Sequence, residues 1–109
     1  MSQKIEHKKK LFNLLKQKGC FWSGSIDNPQ RFEKEDDMIL IHKALLYLDP
    51  EEKNYLFNAF NKKQIKKYWR EKFIPQNQRY SITNWIIGVM FFNLKITQYN
   101  NYLKRYGKH

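Results

Sequence analysis

Lys63, Lys66, Lys67 and Arg70 recur at i, i+3, i+4 and i+7 within "KKQIKKYWREK", Lys62 to Lys72. On a helix this spacing stacks four cations on one face. The row is about 10 Å long, enough to meet several phosphates or a run of carboxylates. The eleven residues hold six cations and one acid, with Lys62 extending the row at its start. Arg79 stands just before Ser81, a good N-cap residue. Free N–H groups at a helix start beside a guanidinium form an anion site. Tyr68 and Tyr80 carry rings that stack on unpaired bases where they face outward, although the spacing of Tyr68 favours a core or boundary place. Lys8, Lys9 and Lys10 form a second basic patch near the N-terminus.

Catalytic chemistry finds less support. Glycine occurs at positions 19, 24, 88 and 107, and none precedes a Lys-Ser or Lys-Thr pair, so no phosphate loop is present. His7, His42 and His109 have no short spacing to one another or to Cys20, and neither a metal site nor a cofactor is expected. His42 lies among Ile39, Ile41 and Leu45, where a half-buried histidine is the simpler reading. Arg105 and His109 are too close in sequence for the Arg–His pair of small helical ribonucleases. Glu33, Glu35, Asp36 and Asp37 resemble a carboxylate cluster, but acids at the start of a helix favour its dipole without any catalytic role. A helix-turn-helix needs a connection of ~3–4 residues, and Ile74 to Tyr80 is longer.

The elements that must position these side chains read as helices. Ile5, Phe12 and Leu15, widened by Leu11 and Leu14, predict a helix over 4–18 that stops at Gly19. The turn formers Gly24, Asp27, Asn28 and Pro29 predict a loop, pinned by Phe21 and Trp22. Met38, Ile41, Leu45 and Leu48 predict a core-facing stripe over 33–48. Asp49 followed by Pro50, Glu51 and Glu52 starts the next helix. Asn61 caps the one after, where Ile65, Tyr68, Trp69 and Phe73 form an apolar stripe opposite the cations. Pro75 ends it. "ITNWIIGVMFFNL" is apolar on nearly all sides, as a central helix from Ile82 to about Asn93 would be. Tyr99, Tyr102, Leu103 and Tyr106 mark a last helix over 97–106. The expected fold is all-α, a small single-domain bundle of five or six short helices. Residues 1–20 form a basic N-terminal helix able to move on its own, and residues 21–109 the helical domain.

Of the 109 residues 41% are hydrophobic and 17% aromatic, so the chain can bury a core. The formal charge of +11 is uneven: residues 1–54 hold ten Lys/Arg against nine Asp/Glu, and residues 55–109 eleven against one. Such a bias attracts polyanions or an acidic protein, while a Lys- and Asn-rich composition also follows from a genome rich in A and T. A single Cys20 allows no internal disulfide and fits a reducing cytosol. "LFNLL" is too short and interrupted for a signal peptide, and "WIIGVMFF" has eight residues where about 20 span a bilayer. A soluble, cytoplasmic protein without membrane attachment is expected.

Phe21–Trp22, Asp27, "LLYLD" at Leu45–Asp49, "KKQIKKYWRE" at Lys62–Glu71 and "RYSITNW" at Arg79–Trp85 together resemble a family of small uncharacterised bacterial proteins. Its members are encoded beside abortive-infection nucleotidyltransferase toxins and are presumed antitoxins. The resemblance spans about residues 21–93 and brings no active site with it. It implies a non-enzymatic binding protein whose Lys/Arg stripe docks an acidic partner such as a neighbouring nucleotidyltransferase-type toxin. The residues themselves leave the alternative open, a module that binds single-stranded or structured RNA or DNA through Lys62, Lys63, Lys66, Lys67, Arg70, Arg79 and Tyr80.

Overall fold

The structure, a computed structural model, describes residues 2–19 and 34–107, with the side chains of 5–19 and 36–107. The expected loop with Cys20, Phe21 and Trp22, the acids Glu33 and Glu35, and His109 lie outside these side chains. Among the described residues the protein is all-α, without strands. These residues form six α-helices: α1 (Ser2–Gln17), α2 (Lys34–Tyr47), α3 (Lys53–Ala59), α4 (Lys62–Lys72), α5 (Asn77–Trp85) and α6 (Ile96–Tyr106). Two compact units divide the chain, Met1–Lys62 and Lys63–His109.

In the first unit α1 packs against α2 and α3. Leu11 and Leu15, one turn apart, are fully buried and face the same way. They build α1 into the unit, in contrast to the independent basic helix expected from its charge. Gly19 closes α1 with φ of 80°, a conformation that glycine adopts without a Cβ clash, and its N–H donates to the Lys16 carbonyl at 3.0 Å. The stripe of α2 is rotated from the expected one. Leu40, Ile41, Ala44 and Leu45 are buried, whereas Met38 is 38% exposed.

The Asp-Pro-Glu-Glu start forms a 3₁₀ turn, Pro50–Glu52, before α3. The Glu52 carboxylate accepts the Asp49 N–H at 2.9 Å, satisfying a backbone donor at the turn. Lys18 reaches Glu52 at 2.7 Å and Asp49 at 3.6 Å. Leu56, Ala59 and Phe60 complete the unit's buried side chains from this segment.

In the second unit Ile65 and Trp69 of α4 and Phe73 just beyond it are buried, whereas Tyr68, the fourth member of the stripe its spacing predicts, is half-buried. Pro75 sits in a 3₁₀ turn, Ile74–Gln76, where its missing N–H removes no interior helix bond. Helical structure then resumes earlier than expected, at Asn77, with a kink at Tyr80 (φ −116°, ψ 30°). Ser81 therefore lies inside a helical run instead of capping its start. A π-helical segment, Ile86–Phe91, continues α5. The chain leaves it at Asn93, φ 55°, a left-handed position that asparagine tolerates, and the Leu94 N–H donates back to the Gly88 carbonyl at 2.9 Å.

This run is not apolar against neighbours on all sides. Ile87 and Phe91 are buried, but Ile82 is 75% exposed, and Trp85 and Met90 lie more than two-fifths exposed. Asn84, inside the same run, is fully buried. Its Oδ1 accepts the Trp69 indole N–H at 3.0 Å. Its Nδ2 donates to the Phe73 carbonyl at 3.1 Å and to Asn77 Oδ1 at 3.0 Å. One side chain thus ties the end of α4 to α5, with its donors and an acceptor satisfied.

Candidate functional site

The cationic face of α4 meets α6 through aromatic rings. Lys66 Nζ lies 5.2 Å from the Tyr102 ring centroid and 6.0 Å from that of Phe92. The Arg70 guanidinium lies 5.1 Å from the Tyr106 ring, and Arg105 approaches the same ring at 5.6 Å. Tyr102 and Tyr106 are themselves neighbours at 5.5 Å, and Tyr102 leans on Trp69 at 5.8 Å. A ring face attracts a cation by its quadrupole while leaving the net charge in place. The rings hold Lys66 and Arg70 in position without neutralising them.

Beside these rings opens a pocket of about 290 Å³, lined by Lys66, Gln98, Asn101, Tyr102, Arg105 and Tyr106. It brings together two cations, two amides and two phenol rings. Gln98 Oε1 accepts the Lys95 N–H at 2.9 Å, which fixes that side chain at the start of α6 and leaves its NH₂ to donate elsewhere.

The residues expected to bind are spread over different places. Lys63 and Lys67 are exposed, and Lys66 and Arg70 are half-buried against the rings. Lys62 belongs to the first unit, where its ammonium lies 5.7 Å from the Phe57 ring. Arg79 lies 5.5 Å from the Tyr80 ring, which in turn packs on Phe73 at 5.0 Å. With Ser81 inside a helical run, Arg79 has no helix start beside it of the kind expected. Tyr80 is half-buried, as is Tyr68, whose ring is 6.2 Å from Phe73. Burial, then the neighbouring Tyr80, pushes the Tyr68 hydroxyl above its usual pKa.

In the first unit the secondary basic patch does not present three outward cations. Lys8 Nζ sits 3.0 and 3.1 Å from the two oxygens of Asp37, with the Phe60 ring at 5.3 Å. Lys9 is half-buried. Lys10 borders a separate polar pocket of about 490 Å³ with His7, Asn13, Gln17, Asn54 and Tyr55. His42 is half-buried, and burial followed by the charge of Lys43 lowers its pKa.

Spacing alone does not pick out Tyr102, Tyr106, Gln98, Asn101 and Arg105 as site residues. Their signal is the stripe Tyr99, Tyr102, Leu103 and Tyr106, which reads as core: Tyr99 is indeed buried, while Tyr102 and Tyr106 are half-buried. Among the described residues no group of three or more His, Cys, Asp or Glu could hold a metal ion, and no helix is long and apolar enough to cross a membrane. No protein-family model, curated protein or solved structure matches the chain.

Proposed function

We propose that the chain is a non-enzymatic, cytoplasmic binding protein whose second unit docks single-stranded nucleic acid through the face shared by α4 and α6. The observation that carries this reading is the placement of Lys66 and Arg70 over Tyr102 and Tyr106. Proteins that hold single strands without base specificity combine a cationic track with aromatic side chains. Cations already held against rings lose less side-chain freedom when a phosphate arrives. Ten Lys/Arg against one acid in residues 63–109 supply the long-range attraction.

The test is a salt titration of binding to a short single strand of DNA and its RNA counterpart. Affinity should fall linearly with log salt, and the double reversal Lys63→Glu/Lys67→Glu should flatten the slope by about 1.4, ~0.7 for each phosphate that is no longer neutralised. An unchanged slope removes this face from consideration.

A second reading has its own support. Ile82, Trp85 and Met90 stand exposed on the helical run that follows Arg79, and tryptophan is a common anchor of protein interfaces. In this reading the protein is antitoxin-like and docks an acidic protein, a nucleotidyltransferase-type toxin encoded next door, through the same basic stripe with Trp85 as an apolar anchor. Co-expression of the two genes should yield a complex that Trp85→Ala disrupts. Purification of this chain alone would count against it.

A further inference from the structure

We infer that the pocket between α4 and α6 is a seat for one nucleotide of a bound strand, taking the base against its tyrosine wall and amides and the adjoining phosphate on Lys66 and Arg105. This deepens the single-strand reading above and rests on it. A row of exposed lysines alone would recognise charge and nothing more. The pocket adds groups that phosphate does not need. Asn101 carries an amide donor pair and an acceptor, and Gln98, whose oxygen already accepts the Lys95 N–H, adds an amide donor pair; together they complement a base edge. Tyr102 and Tyr106 line the same space, 5.5 Å apart, and offer apolar surface to a flat ring.

The size is also selective. Sites for drug-sized ligands run from ~300 to 1,000 Å³, so a pocket of about 290 Å³ suits a single nucleotide rather than a dinucleotide cofactor. Its cations are held at its margin: Lys66 over Tyr102 and Arg105 beside Tyr106. A base entering the pocket therefore brings its own phosphate into reach of both. The remaining row, Lys63 and Lys67, follows the backbone away from that point and reads only charge.

Base reading and charge reading separate experimentally. The probes are a fluorescent twelve-nucleotide single strand, an abasic strand of the same length, and heparin as a polyanion without bases or a nucleotide backbone. The variants are Gln98→Ala/Asn101→Ala, which keeps every charge, and Lys63→Glu/Lys67→Glu, which keeps the pocket. Gln98 and Asn101 are exposed, but Gln98 Oε1 also accepts the Lys95 N–H at the start of α6, so circular dichroism checks the fold and Asn101→Ala alone, which keeps that bond, repeats the measurement. Wild-type protein should bind the normal strand about tenfold more tightly than the abasic one, within the range of ~1–3 kcal/mol for a stacked base. The amide variant should lose that preference and retain heparin binding, while the lysine variant should weaken on all three probes.

Equal wild-type affinity for normal and abasic strands overturns the nucleotide seat while the basic face stands. An amide variant that keeps the full preference overturns it as well. Wild-type protein that binds none of the three probes removes the single-strand reading itself, and leaves the acidic-protein reading in its place.

Discussion

The two units handle positive charge in different ways. Residues 1–62 hold eleven Lys/Arg and nine Asp/Glu, and there the ammonium groups of Lys8 and Lys18 meet carboxylates: Asp37 for the first, Glu52 and Asp49 for the second. Residues 63–109 hold ten against one, and Lys66, Arg70, Arg79 and Arg105 lie against aromatic rings. A carboxylate cancels a cation's field, whereas a ring steadies the side chain and leaves the field standing. The first unit commits its charge to its own structure. The second leaves the charge of these four cations uncancelled by the rings, and its interior must be secured by other means.

Those other means are the buried hydrogen bonds of Asn84, so the largest effect expected from a single substitution is there. Asn84→Ala strips the Trp69 indole N–H of its acceptor and the Phe73 carbonyl of a donor, both in the buried part of the unit. The indole N–H is left unpaired at ~1–3 kcal/mol, while the Phe73 carbonyl keeps the Gln76 N–H at 3.0 Å and loses one of its two bonds, so the loss should be about 3 kcal/mol. Chemical denaturation measures it, and amide hydrogen exchange should rise first in α4 and α5. Equal loosening of α1 and α2 would mean that the two units do not differ in how they are secured.

Gly88→Ala comes next. A Cβ at this position would meet Tyr99 Cδ1 at 2.7 Å and the Trp69 ring at 3.2 Å. Tyr99 is buried and the colliding atom belongs to a rigid ring, so neither side can simply swing away. Overpacking of this kind costs about 2 kcal/mol. Because Trp69 supports Tyr102, the variant should also weaken single-strand binding without removing any cation. A variant with full stability would show that the core around Tyr99 and Trp69 has room for the extra methyl.

How far these differences can be read from the sequence depends on the range of the interaction. The stripe Ile65, Trp69 and Phe73 and the opposed row of cations follow from helical periodicity, and both appear as expected on α4. The start at Asp49 and the stop at Gly19 are also local, encoded in residues that only certain backbone conformations suit. Asn84 is hidden because one amide in "ITNWIIGVMFF" looks like an interruption of an apolar run; its meaning comes from Trp69, fifteen residues earlier. The exposure of Ile82 and Trp85 and the meeting of Lys66 with Tyr102 depend on which helices become neighbours. Periodicity within one helix carries no information about that choice.

In the first unit the more buried ion pair is Lys8 with Asp37, whose side chains are less than one-fifth exposed. Lys8→Met keeps the apolar stem near Phe60 but leaves the Asp37 carboxylate without its cation. A loss of about 1 kcal/mol is expected, between exposed pairs and fully buried ones. No change in single-strand affinity should accompany it, since this ammonium is committed to the fold. A matching loss of binding would instead return Lys8 to the docking surface.

The smallest expected effect is at Lys18, and its pH dependence identifies it. The Lys18 pKa is raised above the ordinary 10.5, chiefly by its hydrogen bond to Glu52. For Glu52 burial is the largest influence and pushes upward, but the bonds from Lys18 and the Asp49 N–H, with the Lys18 charge, outweigh it and hold the carboxyl below the ordinary 4.5. A depressed carboxyl stabilises the fold above its unfolded value and loses that contribution as pH falls through the folded one. A raised lysine stabilises below 10.5 and loses its contribution as pH rises through the folded value. Lys18→Met should therefore cost about 0.5 kcal/mol at neutral pH, in the range of partly exposed pairs. The difference from wild type should close below pH 4.5 and again above 10.5, and shrink in ~1 M salt, where screening acts within ~3 Å. The cost of Asn84→Ala should survive the same salt, because no net charge is involved. If instead salt erased the Asn84 effect and spared that of Lys18, the contrast between a unit held by ion pairs and one held by neutral hydrogen bonds would be reversed.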